Sequence, residues 1–133
     1  MIRVLVVDDA EFVREQICMM LAEDNEFFVV GQASRASEAI EQAKEHQPDV
    51  VLLDIGMPGL NGCQAAPLIK NAAPQTEILI VTQYSNPIVA GQAFALGARG
   101  FLTKSDAGLE LATAVREVFA KRKFVSRSLA LAA

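Results

Sequence analysis

Cysteine and histidine are scarce in this 133-residue chain, which has two cysteines and one histidine. Cys18 and Cys63 lie far apart and form neither a C-x-x-C pair nor a Cys/His cluster of the kind that binds zinc. This spacing argues against a disulfide framework and a thiolate metal site, and it favours the reducing cytoplasm. The lone His46 precedes Pro48, and we expect an exposed side chain there rather than a phosphodonor.

Long apolar runs and an excess of positive charge are also missing. No stretch approaches the ~18 consecutive apolar residues of a membrane span, and residues 1–3 lead into a strand pattern rather than a signal peptide. The net charge of -4 argues against nonspecific binding to nucleic acid. We therefore expect a soluble protein without membrane contact, in which the basic residues 121–123 lie at a helix C-terminus.

Apolar residues make up 52% of the chain, enough for one core. Short apolar runs that stop at polar residues predict strands buried on both faces, as in parallel sheets, and segments with helical spacing lie between them. Strand and helix alternate five times, which predicts a single α/β domain with right-handed crossovers and helices on both sides. The predicted strands are residues 2–7, 27–30, 50–53, 78–81 and 100–103.

Several residues predict where helices begin. Pro87 suits the first position of the fourth helix, and Ser105 suits the cap of the fifth. The third helix is expected to begin at Asn61, where Gln64 would complete a capping box, and Pro67 then falls inside it.

Polar residues follow the predicted strands at the edge where ligands bind in open parallel sheets. Asp8 and Asp9 end the first strand, Asp54 the third, Thr82 the fourth and Lys104 the fifth. A lone Asp-Asp pair is more often a turn or a helix cap, but five such residues ending four different strands indicate a built site.

Three carboxylates at one edge require a cation. Carboxylates about 5 Å apart repel by roughly 3 kcal/mol per pair at an effective dielectric near 20. Oxygen ligands with few protein groups suit Mg²⁺, which keeps several waters and favours phosphate oxygens.

A carboxylate beside such a cation can attack phosphorus and form an aspartyl phosphate. Asp54 is the best candidate nucleophile, because residues 55–62 are rich in types that let backbone approach an ion. Asp8 and Asp9 are left as metal ligands, while Lys104 and Thr82 would neutralise or hydrogen-bond phosphoryl oxygens.

Together these residues closely resemble the receiver domains of bacterial response regulators, in particular the NarL/FixJ type. The resemblance extends to about Phe119. Its motifs are VVDD at 6–9, PDVVLLDIGMPGLNG at 48–62, VT at 81–82 and GARGFLTK at 97–104.

The resemblance implies a flavodoxin-like (CheY-like) doubly wound sheet of five strands in the order 2-1-3-4-5. It makes Asp54 the phosphoacceptor, Asp9 a direct Mg²⁺ ligand and Asp8 a ligand largely through water, with the Gly56 carbonyl completing the metal site. Thr82 becomes the switch hydroxyl and Lys104 the partner of the phosphoryl group. Phe101 takes the aromatic switch position, although packing alone would also explain an aromatic residue there.

The implied function is a switch that accepts a phosphoryl group from a sensor histidine kinase, with self-catalysed phosphorylation and dephosphorylation rather than turnover of a substrate. Residues 1–121 form the receiver domain, and residues 122–133 resemble the linker to a DNA-binding domain that does not follow here. The last residues are expected to fray. DNA contact is expected only through such an output domain, and a phosphorylation-dependent homodimer is a further expected partner. The alternative is a single-domain regulator that acts through protein contacts.

The chain departs from the family pattern in two places, after Thr82 and after Lys104. Gln83 and Tyr84 follow Thr82, where the family usually has a small residue first, and both side chains are expected to crowd the phosphoryl group and slow its transfer. Ser105 stands where proline is common, which makes a cis peptide less expected.

Two other classes share this sheet. A flavodoxin-type electron carrier needs phosphate-binding groups after the first strand, where Asp8 and Asp9 would repel a phosphate. A phosphatase of the haloacid dehalogenase type needs a second acid two residues after an Asp8 nucleophile, and position 10 is Ala10. A colourless sample without phosphatase turnover would exclude both.

Overall fold

Parallel strands and helices alternate along the chain in the computed structural model, which describes residues 1–59 and 62–132. The strands within these residues form one sheet in the order β2-β1-β3-β4-β5-β6, and every pairing is parallel. They are β1 Ile2–Val7, β2 Phe27–Ala33, β3 Val50–Leu53, β4 Glu77–Thr82, β5 Gly100–Thr103 and β6 Phe124–Val125.

Helices cover both faces of the sheet and divide the core in two. Side chains from α2, α3 and α4 pack with one face, and those from α1 and α5 pack with the other. None of the helices in the described residues is long and apolar enough to cross a membrane. The helices are α1 Glu11–Ala22, α2 Ala36–His46, α3 Gly62–Ala72, α4 Pro87–Ala95, α5 Ala107–Phe119 and α6 Arg127–Ala132, with a 3₁₀ turn at Lys104–Asp106.

The register of the central strands brings their carboxyl ends to one edge. Leu53 at the end of β3 pairs with Val7 of β1 and with Ile80 of β4. Hydrogen bonding continues one residue further, because the Asp54 amide donates to the Val7 carbonyl at 3.1 Å. The residues that follow β1 and β3 therefore start side by side, as the buried apolar runs predicted.

The prediction of a five-stranded sheet is wrong by one strand. The predicted order 2-1-3-4-5 is present, but β6 adds to the free edge of β5, with Gly100 paired to Phe124 and Phe101 to Val125. The segment after Lys123, expected to lose its pattern, forms this strand and α6. A strand of two residues shows no periodicity, so only its neighbours in space reveal it.

The predicted helix starts had mixed outcomes. Pro87 begins α4 as predicted, and the Asn86 side chain accepts a hydrogen bond from the Ile88 amide at 2.8 Å. The predicted Ser105 cap is wrong, because a 3₁₀ turn precedes α5 and Ser105 Oγ lies instead 3.1 Å from Thr103 Oγ1.

The predicted third helix is present as α3, Gly62–Ala72. Asn61 lies outside the described residues, and so does the capping box that it would form. Pro67 does fall inside α3, as predicted.

Basic residues near the end of α5 are engaged within the molecule. They follow the C-terminus of α5, which ends at Phe119, where the sequence predicted them. Lys121 Nζ lies 3.2 Å from Glu77 Oε1, Arg122 pairs with Glu117, and the Lys123 ammonium lies 4.4 Å from the centre of the Phe94 ring.

Gly100 allows α5 and β6 to approach β5 closely. A Cβ at this position would lie 2.7 Å from Val118 Cγ2, 2.8 Å from Leu79 Cδ1 and 3.3 Å from Phe124 Cβ. The first two separations are shorter than van der Waals contact, so the sheet, α5 and β6 can meet here only around a glycine.

We predict that Gly100→Ala destabilises the domain by about 1–3 kcal/mol, because an added methyl group overpacks a closed core. The matched control is Gly108→Ala in α5, where an added Cβ meets no atom within 4 Å. That change should be neutral or stabilise the helix by up to ~1 kcal/mol. Urea unfolding of the three proteins measures both effects, and equal stability of the Gly100 variant and the wild type would contradict the packing argument.

Candidate functional site

Three aspartates meet at the carboxyl edge of the sheet. One carboxylate oxygen from each of Asp8, Asp9 and Asp54 lies within 4.8 Å of the others. Asp8 is 1% and Asp54 5% exposed, whereas Asp9 faces solvent. Short turns orient the two buried groups, because Asp8 Oδ1 accepts from the Ala10 amide at 2.9 Å and Asp54 Oδ1 accepts from the Gly56 amide at 3.0 Å.

Lys104 supplies the positive charge at this edge. Its Nζ lies 2.8 Å from Asp8 Oδ2 and 3.5 Å from Asp54 Oδ2. Burial opposes the charged lysine, but its contacts with Asp8 and Asp54 outweigh burial and raise the pKa of Lys104. The ammonium therefore stays charged and lies between the two buried carboxylates.

Asp54 is a member of the cluster whose ionised form is destabilised by its surroundings. Burial raises the pKa of its carboxyl group, and the neighbouring Asp8 raises it further, while the Gly56 amide and Lys104 act in the opposite direction. A buried carboxylate that is costly to ionise is stabilised by a positive charge placed beside it.

Thr82 ends β4 with its side chain fully buried. Its hydroxyl oxygen accepts from the Tyr84 amide at 3.3 Å, and Thr82 pairs in register with Thr103, the residue before Lys104. The sequence therefore placed this hydroxyl at the correct edge of the sheet.

Tyr84 and Gln83, the two departures from the family pattern, lie differently. A Cβ on Gly56 would lie 3.4 Å from Tyr84 Cε2 and 3.6 Å from Asp54 Oδ1, so the tyrosine ring lies across the loop that follows Asp54. Gln83 is exposed to solvent. The Tyr84 ring is therefore near the loop that follows Asp54, and the expected crowding of the phosphoryl group by both side chains stays a prediction.

Phe101 is buried in β5, within the core cluster that also contains Ala90 of α4 and Leu129 of α6. This environment is consistent with ordinary packing and gives the ring no contact with solvent. The role of Phe101 as a switch therefore rests on the resemblance.

Sequence reasoning missed Arg14. From the first turn of α1, its Nη1 donates to the backbone carbonyl of Asp8 at 2.8 Å, and its Nε donates to Gln32 Oε1 at 3.2 Å. The guanidinium thereby fixes the backbone that presents Asp8 and ties it to β2. An arginine one turn into the helix that follows an Asp-Asp pair was the available signal.

The donor set suits a hard divalent cation. The clustered ligand atoms are carboxylate oxygens, two of them on buried groups, and no thiolate or imidazole is among them. Magnesium and similar ions prefer such ligands, and a bound cation would relieve the repulsion among the three acids.

Comparison with known proteins agrees with the sequence and the site. A family model for the response regulator receiver domain matches residues 4–116. The chain belongs to this family. The receiver domain is 38% identical over 130 residues to the response regulator GacA of Pseudomonas viridiflava, covering 98% of this chain but 61% of the relative.

Solved structures support the same assignment. A LuxR-family two-component response regulator from Aurantimonas sp. SI85-9A1 superposes with a TM-score of 0.93 at 33% identity, covering 98% of this chain and 93% of that one. The signal receiver domain of NarL from Mycobacterium tuberculosis gives 0.86 at 36% identity, with 91% and 98% covered. The predicted family is confirmed, and the match favours a phosphoacceptor switch over an electron carrier or a phosphatase.

We predict that Asp54→Asn stabilises the metal-free receiver domain by an amount on the order of 1 kcal/mol at pH 7, because it removes a buried like charge. Since the pKa of Asp54 is raised on folding, stability falls as the pH rises from the unfolded value of 3.8 through the folded value. The stability gained by Asp54→Asn should therefore vanish at pH values below 3.8.

The matched control is Asp9→Asn, which removes a charge from the same cluster at an exposed position and should gain less. Thermal unfolding in a chelator at several pH values measures both. A loss of stability in Asp54→Asn at pH 7 would contradict the proposed strain.

Proposed function

We propose that this receiver domain accepts a phosphoryl group on Asp54 from a sensor histidine kinase, in a reaction that requires Mg²⁺. The observation that carries the proposal is the meeting of Asp8, Asp9 and Asp54 within 4.8 Å, with the Lys104 ammonium in contact with two of them. One edge of the sheet would thus supply a nucleophile, a cation site and a countercharge for phosphoryl oxygens.

The role of each residue follows from its position. A carboxylate oxygen of Asp54 attacks phosphorus in line with the leaving group, which departs with the bonding electrons. Asp8, Asp9, Asp54 and the Gly56 carbonyl would hold Mg²⁺, which supplies positive charge for the phosphoryl oxygens. Lys104 neutralises a further oxygen as a point charge. Arg14 keeps the backbone of Asp8 in place.

The switch is proposed to begin at Thr82. Its hydroxyl now accepts from the Tyr84 amide, and it would instead donate to a phosphoryl oxygen on modified Asp54. The backbone after β4 would then be drawn inward, and Phe101 on the neighbouring strand would follow the change in packing.

The output is proposed from the relatives. The chain spans 61% of the length of GacA and resembles a LuxR-family regulator. We infer that residues 1–121 are the receiver domain and residues 122–133 lead to a DNA-binding domain that controls transcription in the cytoplasm. Phosphorylation would favour a homodimer, and the other candidate is regulation through protein contacts alone.

Phosphorylation of Asp54 is tested by incubating the protein with a small phosphodonor and Mg²⁺ and mapping the modified residue by mass spectrometry. We predict that Asp54 alone is labelled and that Asp54→Asn is not. The matched control is Asp49→Asn, at the opposite end of the same strand, where the carboxylate accepts from the Arg3 amide. It should be labelled like the wild type, and phosphate on any other aspartate would contradict the proposal.

Magnesium binding is tested by thermal unfolding. Binding to the folded state raises stability by about 1.4 kcal/mol when the free ion is about tenfold above its Kd, so melting should rise with millimolar Mg²⁺. Asp9→Ala should lose this response, whereas Glu11→Ala, an exposed acid two residues on, should retain it. Sodium chloride at equal ionic strength controls for screening, and an Mg²⁺ shift that survives in Asp9→Ala would place the metal elsewhere.

A further inference from the structure

The segment after α5 is part of the fold rather than a loose extension. Its backbone bonds to β5, since the Phe124 amide donates to the Arg99 carbonyl at 3.3 Å and the Ser126 amide donates to the Phe101 carbonyl at 2.8 Å. Leu129 of α6 is 3% exposed and belongs to the core cluster of Phe101. Residues 124–129 are therefore held by both hydrogen bonds and apolar packing.

Four residues, Thr103, Asp106, Ser126 and Ser128, form what we call the clasp. Asp106 Oδ2 accepts from the Ser128 amide at 2.9 Å, from Thr103 Oγ1 at 3.1 Å and from Ser126 Oγ. Ser126 Oγ in turn accepts from the Thr103 amide at 3.1 Å. Thr103 and Ser126 are fully buried, so breaking these bonds would leave polar groups without water.

The clasp also fixes the start of α6. The Ser128 amide donates to Asp106, and the Arg127 amide donates to Glu110 Oε1 at 3.0 Å. Both carboxylates come from the chain around the start of α5, and they satisfy amides that have no partner within α6. The direction in which α6 leaves the domain is therefore set by these two acids.

The phosphoryl site and the clasp share one short turn. Lys104 is the first residue of the 3₁₀ turn, Asp106 is its last, and Thr103 immediately precedes it. Lys104 Nζ bonds to Asp8 at 2.8 Å. A movement of the Lys104 backbone would therefore also move a three-residue turn whose other end holds α6.

We propose that the clasp couples the occupancy of the phosphoryl site to the docking of residues 124–132. This inference rests on the proposed function of Asp54. With Asp54 unmodified, Lys104 is bound to Asp8 and the clasp is closed. When Lys104 turns to a phosphoryl group on Asp54 it leaves Asp8, the turn shifts, and the bonds of Asp106 to Ser126 and Ser128 weaken. Phosphorylation thereby loosens the segment that leaves the domain.

Coupling of this kind is reciprocal. If an occupied site opens the clasp, then opening the clasp by mutation must favour the occupied site by the same factor. Ser126→Ala removes the hydroxyl that bonds to Asp106 and Thr103 without touching Lys104 or the acids of the site. Ser105→Ala is the matched control, because Ser105 Oγ is exposed and contacts Thr103 Oγ1 at 3.1 Å from the same turn. Within residues 1–59 and 62–132, its hydroxyl makes no hydrogen bond to residues 124–132.

The experiment measures amide hydrogen exchange in residues 124–132 of the full chain, with Mg²⁺ alone and with Mg²⁺ and beryllofluoride, a mimic of the phosphoryl group. In the wild type we expect beryllofluoride to speed exchange of the Ser128 amide by about tenfold, because this amide loses a hydrogen bond to the charged Asp106 carboxylate. Exchange of the Ser126 amide, which donates to the Phe101 carbonyl, should also become faster. Ser126→Ala should exchange at the fast rate without beryllofluoride and bind it more tightly. Ser105→Ala should match the wild type in both measurements.

The Lys104→Met variant tests the same coupling without a phosphoryl mimic. Loss of the bond to Asp8 should speed exchange of the same amides in the Mg²⁺-bound protein. Exchange that is unchanged by both beryllofluoride and Lys104→Met would overturn the proposal, and so would a loose tail in Ser126→Ala with unchanged beryllofluoride affinity. If beryllofluoride binds Asp54→Asn as tightly as it binds the wild type, the proposed function fails instead. Hydrogen exchange in Lys104→Met then decides alone whether the phosphoryl site and residues 124–132 are coupled.

Discussion

Repulsion between two buried carboxylates is the constraint on which the rest of this structure depends. Asp8 and Asp54 are buried and directly follow the adjacent central strands β1 and β3. The parallel register of these strands places the two carboxylates close together. A fold that holds them there must offset the cost with positive charge. Lys104 provides it from the turn after β5, and Arg14 fixes the backbone of Asp8 from α1. The acids thus explain why the turn after β5 and the first helix carry these cations.

The same constraint links the resting state to reactivity. Because burial and Asp8 make the charged form of Asp54 costly, a positive charge brought to this edge would stabilise the ionised carboxylate. Tyr84 approaches the loop that follows this carboxylate, and its Cε2 lies 3.4 Å from where a Cβ on Gly56 would be. Electrostatic strain at Asp54 therefore favours the binding of a cation at this edge of the sheet.

The sequence predicted the central fold and most of the site because both depend on strong local patterns. Continuous apolar runs identified the inner strands, and the rule for parallel sheets then brought Asp8, Asp54, Thr82 and Lys104 to one edge. The roles expected for Gly56 and Phe101 came only from the family resemblance. Nothing in the sequence around them distinguishes a carbonyl that binds metal or an aromatic ring that acts as a switch. β6 could not be predicted, because a two-residue strand depends on contacts with β5 that are distant in sequence. The 3₁₀ turn at 104–106 was not predicted, because it depends on hydrogen bonds that Thr103 and Ser126, both outside the turn, donate to Asp106.

The added strand β6 has a consequence for how the protein can be divided. Cutting the chain after residue 121 would uncover the edge of β5 and leave its backbone amides and carbonyls without partners. It would also remove Leu129 from the cluster around Phe101. An uncovered edge strand is a template for pairing with another chain, so such a fragment would tend to aggregate even though every residue of the phosphoryl site is present. Residues 124–129 therefore cover an edge of β5 that would otherwise be open to pairing with another chain.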